Sequence, residues 1–141
     1  MLPFRIQHLD HVVVRVSDLE RSIRFYQDVV GCTVDRVRDD LGLVHMRAGT
    51  ALVDLVDIEG KLGKENAAPT GTHNQNMDHF CLRIEPFDEE ALKTHLVAAG
   101  IKEVGPAENR YGAEGTGPSI YFLDPDGNKI EFKGPSDESK A

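Results

Sequence analysis

Leu9-Asp10-His11-Val12-Val13-Val14-Arg15-Val16 returns 68 positions later as Met77-Asp78-His79-Phe80-Cys81-Leu82-Arg83-Ile84. The shared pattern is apolar-Asp-His, then three apolar residues, Arg and a last apolar residue. A long internal match of this kind marks a duplicated supersecondary unit. Each copy reads as a strand and is followed by a helical pattern that stops at a glycine, Gly31 or Gly100. In the first copy Ser17 is the expected N-cap, with Glu20 three residues on completing a capping box. Leu19, Ile23, Tyr26 and Val30 then recur at helical spacing. In the second, Asp88 is the expected N-cap and Leu92, Leu96 and Ala99 form the stripe.

Three further strand-like runs follow each helix. The strands are expected near 9–16, 32–38, 42–48, 51–58, 77–84, 102–108, 118–123 and 128–134. Asp124-Pro125-Asp126-Gly127 is a strong turn signal between the last two. The expected architecture is α+β, a βαβββ unit used twice within a single 1–141 domain. Repeat one covers about 9–58 and repeat two about 77–134. A Gly-, Asn- and Pro-containing link at 59–76 joins them, a Gly-rich loop spans 109–118, and the tail from Pro135 is expected to fray.

Side chains alternate across a strand. Val12, Val14 and Val16 therefore share a core face, with His11, Val13 and Arg15 opposite. Phe80, Leu82 and Ile84 oppose His79, Cys81 and Arg83. Ile130 and Phe132 oppose Lys129, Glu131 and Lys133, and Val53 and Leu55 oppose Asp54. Each half thus sends one His and one carboxylate to the face away from its helix. If the sheets curl into an eight-stranded cup, His11, His79, Glu131 and Asp54 can converge. Imidazole and carboxylate together suit a divalent ion such as Ni, Zn, Co, Mn or Fe. His8 points away from His11 along the strand. His45, His73 and His95 have no repeat partner and read as ordinary surface or hydrogen-bonded residues.

Bulk properties narrow the classes. The chain has 141 residues, 40% apolar and 28% charged, which suits one globular domain. Sixteen Lys and Arg against 24 Asp and Glu leave a formal charge of −8, so a nucleic-acid partner is not expected. No apolar run approaches the roughly 20 residues that cross a bilayer, and the N-terminus lacks a signal-peptide pattern. Cys32 and Cys81 have no metal or redox spacing. They are expected to be buried, reduced thiols of a cytoplasmic protein.

Two stretches, Leu9 to Tyr26 and Tyr121-Phe122-Leu123-Asp124-Pro125-Asp126-Gly127-Asn128-Lys129-Ile130-Glu131, resemble the vicinal oxygen chelate superfamily, the glyoxalase/bleomycin-resistance/dioxygenase group. The resemblance covers about 9–134. It implies the glyoxalase-like cup, a divalent metal at His11, His79 and Glu131, and a homodimer whose sites draw on two chains. Within the group the pattern is nearest to glyoxalase I, which implies a lyase or isomerase acting on a small oxygen-chelating substrate, a thiol conjugate among the options. Glu131 would be the metal-bound base. Arg15 matches an arginine directed at glutathione, and Asp54 falls on a fourth ligand position. The family usually has Glu there, one C–C bond longer, about 1.5 Å, and Ile58 replaces an Asn used by the family. Fosfomycin-resistance thiol transferases resemble the second half, with Ser119 and Tyr121 at substrate-contact positions, but their basic C-terminal extension is replaced by Pro135-Ser136-Asp137-Glu138. Extradiol dioxygenases share the two-His-one-carboxylate triad. A drug- or metabolite-binding protein without catalysis is the reading from another class, and the full ligand set weighs against it.

Overall fold

The computed structural model describes residues 5–65 and 77–137. It divides into two compact units, Met1–Ala68 and Pro69–Ala141. In the first unit β1 (His11–Val16) leads into α1 (Leu19–Phe25), which runs on as a π-helical turn, Tyr26–Val30. Then come β2 (Thr33–Arg38), β3 (Leu43–Ala48), β4 (Ala51–Asp57) and a short helix, α2 (Lys61–Glu65). The second unit holds β5 (Phe80–Arg83), α3 (Glu89–Ala98), β6 (Glu108–Gly112), β7 (Gly115–Leu123) and β8 (Lys129–Lys133). The sheets have matching orders, β1-β4-β3-β2 and β5-β8-β7-β6. In each, the first strand pairs parallel with the last and the other pairings are antiparallel. The βαβββ duplication is therefore present as the repeat implies.

Burial follows the alternation. Val14 and Val16 of β1, Val44 and Met46 of β3, and Val53 and Leu55 of β4 are buried. Tyr26 and Val29 of the helix, together with Ser22, are buried as well. In the second unit Phe80, Leu96, Ile120, Phe122, Ile130 and Phe132 form the core, with the Phe122 and Phe132 rings edge-on at 4.8 Å. Gly31 takes φ 94° just past the first helix, as its place in the pattern predicts.

The N-cap of α1 is Asp18, whose side chain accepts from Arg21 N; Ser17 Oγ instead accepts from the Arg21 guanidinium. Asp88 caps α3 as expected, accepting from Ala91 N. Residues 102–107 form no strand, and β6 begins at Glu108. The expected Gly-rich loop at 109–118 is in fact a hairpin, with Glu108–Gly112 paired to Ser119–Gly115. Residues 61–65 of the link form α2, and 66–76, including His73, lie outside the described residues. The tail is tied down as far as Asp137, whose N–H donates to Thr116 O at 2.7 Å, and Ser136 is buried. Cys32 is buried, but Cys81 is exposed. Among the described residues no helix is long and apolar enough to cross a membrane.

Candidate metal centre

In the second unit, β5 and β8 bring His79 and Glu131 together. Cys81 pairs with Glu131 across the parallel ladder, so His79, two residues earlier, shares the Glu131 face. His79 Nε2 lies 3.0 Å from Glu131 Oε1, and its Nδ1 lies 2.6 Å from Asp78 Oδ1. A carboxylate only accepts, so Asp78 holds the proton on Nδ1 and aims Nε2 at Glu131. The Asp78 carboxyl is in turn held below the usual range, first by His79 and then by the nearby Lys129 charge. Glu131 is buried, and its other oxygen, Oε2, accepts from Ser119 Oγ at 2.6 Å. Tyr121, opposite Glu131 on β7, sets its ring edge-on to His79 at 5.5 Å, with Lys129 Nζ 4.7 Å from the ring centroid. Burial and the Glu131 charge push the Tyr121 phenol above its ordinary pKa.

This donor pair fits a divalent ion. Two ligands about 2.1 Å from one ion and at right angles stand about 3.0 Å apart, which is the separation of Nε2 and Oε1. Both donors are held from behind, by Asp78 and by Ser119, in the manner that orients metal ligands. The resemblance implies substrate-contact positions at Ser119 and Tyr121. Ser119 is fully buried with its hydroxyl on Glu131, while both residues also line a cavity of about 160 Å³ with Arg110.

The first unit repeats the pattern with differences. His11 Nδ1 lies 2.8 Å from Asp10 Oδ1, so the Asp of each Asp-His pair does the same work. This contact, foremost, raises the His11 pKa, aided by the Asp54 charge. Val13 pairs with Asp54 as Cys81 pairs with Glu131, so the two carboxylates occupy equivalent positions. Asp54 is buried, and its Oδ1 accepts from His45 Nδ1 at 2.7 Å. His45 faces Asp54 across β3–β4 as Tyr121 faces Glu131 across β7–β8. His45 is thus a residue of this face that repeat matching overlooked, because its counterpart is a tyrosine. Arg15 is half-buried and reaches Gly63 O of α2 at 3.4 Å. Within either unit, among the described residues, no three His, Cys, Asp or Glu side chains gather closely enough to hold an ion together.

Comparison with known proteins gives the family. The model of the Glyoxalase/Bleomycin resistance protein/Dioxygenase superfamily matches residues 8–132. The chain belongs to this superfamily. It is 32% identical over 128 residues to virulence protein STM3117 of Salmonella typhimurium, covering 90% of this chain and 83% of that protein. The crystal structure of STM3117 superposes with a TM-score of 0.74 at 26% identity, over 94% of this chain and 99% of that one. Metallothiol transferase FosB of Lysinibacillus sphaericus is 29% identical over 127 residues, 90% of this chain and 82% of FosB. Lactoylglutathione lyase of Haemophilus influenzae is 29% identical over 132 residues, 86% and 88% of the two chains. The superfamily therefore brings together, among this chain's relatives, a thiol transferase and a lyase, and the α+β fold with its duplicated βαβββ unit is the glyoxalase-like one that the resemblance implies.

Proposed function

We propose that this chain is a metal-dependent enzyme of the glyoxalase I-like type, moving a proton at the carbon next to a carbonyl of a small oxygen-chelating substrate. His11, His79 and Glu131 would hold one divalent ion, whose charge would stabilise the developing enediolate oxygens. The observation that carries this reading is the 3.0 Å approach of His79 Nε2 to Glu131 Oε1, with each side chain held by a second residue. Glu131 is the proton carrier. It is buried, and Ser119 holds its Oε2, which keeps the carboxylate beside His79 as the metal-bound base. His79 and Tyr121 flank it, their rings edge-on at 5.5 Å. Arg15 and Tyr121 remain the candidates to contact substrate, and the reading includes a homodimer, checked by ultracentrifugation.

A second reading, thiol transfer to a small electrophile, is favoured by one observation. Asp54 is one carbon shorter than the Glu of glyoxalase I and its Oδ1 already accepts from His45, so this reading uses the three-ligand set of His11, His79 and Glu131 without Asp54. The similarity to FosB points the same way. Supplying the metal-loaded protein with a hemithioacetal in one assay, and with glutathione plus an epoxide in another, separates them. The proton-transfer reading expects turnover in the first and none in the second. Turnover of the epoxide alone would overturn it.

A further inference from the structure

Lys133 is the third residue of the Lys129-Glu131-Lys133 face, where alternation predicts a solvated ammonium. Instead Lys133 is 6% exposed, and its Nζ is buried with no hydrogen-bond partner among the described residues. It lines a cavity of about 340 Å³ with His79, Cys81, Arg83, Glu114 and Glu131. The other charged groups of that wall are matched. Arg83 donates to Glu114, Glu85 and the Ile84 carbonyl. Glu131 takes Ser119 and faces His79. Only Lys133 among these charged lining residues has no partner.

The placement is built. A Cβ on Gly112 would stand 2.7 Å from Lys133 Cε, and one on Gly117 would stand 3.0 Å from Nζ and 2.4 Å from Pro135 O. The β6–β7 hairpin passes close over the lysine stem at Gly112, and at Gly117 the Pro135 carbonyl leaves no room for a Cβ. Burying an ammonium without a partner costs several kcal/mol, and such a group in a binding cavity signals a missing counter-charge.

We propose that Lys133 anchors an oxyanion, the carboxylate or phosphonate of a small organic acid, and so defines the substrate class of this site. The inference rests on the metal-centre reading for its catalytic meaning but not for the binding itself. Lys133 sits two residues from Glu131 on the same strand face and lines the same cavity as Glu131 and His79, so an acid held there would lie beside that pair. The cavity lies at the small end of ligand pockets, which run about 300–1,000 Å³, and this suits an acid of a few carbons.

The test titrates propionate and, separately, methylphosphonate into the full-length protein, metal-free and metal-loaded, by calorimetry. Saturable binding of one anion to both forms is expected, at least tenfold weaker in Lys133→Met and largely kept in Lys133→Arg. The preferred anion identifies the head group. Equal affinity in wild type and Lys133→Met, or no saturable binding of either anion, would overturn the proposal. Should Lys133→Met fail to fold, the wild-type protein still decides. The Lys133 ¹⁵Nζ resonance, identified as the one lost in Lys133→Arg, must shift with bound anion, and an unmoved resonance refutes the site. Lys133-dependent anion binding by a protein that takes up no metal would refute the metal centre and leave this proposal standing.

Discussion

His79 Nε2 and Glu131 Oε1 stand 3.0 Å apart, at the spacing of two adjacent ligands on one ion. Ser119 fixes Glu131 for that role from the buried side. Ser119→Ala should therefore weaken divalent-metal binding by about tenfold, or ~1.4 kcal/mol, at the lower edge of the usual effect of residues behind metal ligands. Competition against a chromogenic chelator measures it. Unchanged affinity would mean that the Ser119–Glu131 bond is structural alone.

His45 and Asp54 invite a paired test. If Asp54 acts by holding His45, then His45→Ala and Asp54→Ala should each lower turnover by about tenfold or more, and the double variant should lose no more than the worse single one. Metal content should stay near wild type in both. A metal loss confined to Asp54→Ala would instead make Asp54 a direct ligand, as its position in the sequence suggests.

Asp10 raises the His11 pKa. In the metal-free protein His11 should titrate above the ordinary histidine value of about 6.5, and Asp10→Asn should bring it down. The sign for metal binding follows. Protons compete with the ion below the His11 pKa, so in wild type affinity begins to fall at a higher pH than in Asp10→Asn. Histidine NMR against pH reads the first effect, and chelator competition at several pH values reads the second.

Cys81 is exposed, yet partial burial of its thiol and the Glu131 charge push its pKa up to about 11. Access does not protect it; protonation does. At pH 8 its alkylation by iodoacetamide should run about two orders of magnitude slower than that of an ordinary cysteine, because the thiolate is the nucleophile. Cys32, with its pKa also at about 11 and its side chain buried, should be slower still. Rapid labelling of Cys81 in the native protein would contradict this.

The parts of the fold that were legible in the sequence are those where periodicity and burial coincide. Strand β1 alternates Val12, Val14 and Val16 against His11 and Arg15, and the duplicate does the same with Phe80 and Leu82 against His79 and Arg83, so faces and repeat could be read together. Strand β6 was missed because Glu108-Asn109-Arg110-Tyr111-Gly112 is an exposed sheet-edge strand with no apolar alternation. Its strand character comes from pairing with β7, whereas the apolar Ile101 and Val104 lie outside any strand. The site shows the same division. Alternation placed His79, Glu131 and Asp54 on their faces but could not give cross-strand register, which is what joins His45 to Asp54 and Tyr121 to Glu131. Depth was also hidden. Lys133 reads as a solvated lysine until the hairpin glycines that cover it are seen in place.

The central claim is a divalent ion held by His11, His79 and Glu131. Elemental analysis of the purified full-length protein tests it most directly, comparing wild type with His79→Ala, Glu131→Gln and His8→Ala after equilibration with excess metal and desalting. The account predicts about one equivalent of a divalent ion per chain in wild type and in His8→Ala, and a loss of most of it in His79→Ala and Glu131→Gln. No bound ion in wild type, or equal content in His79→Ala and wild type, would contradict it.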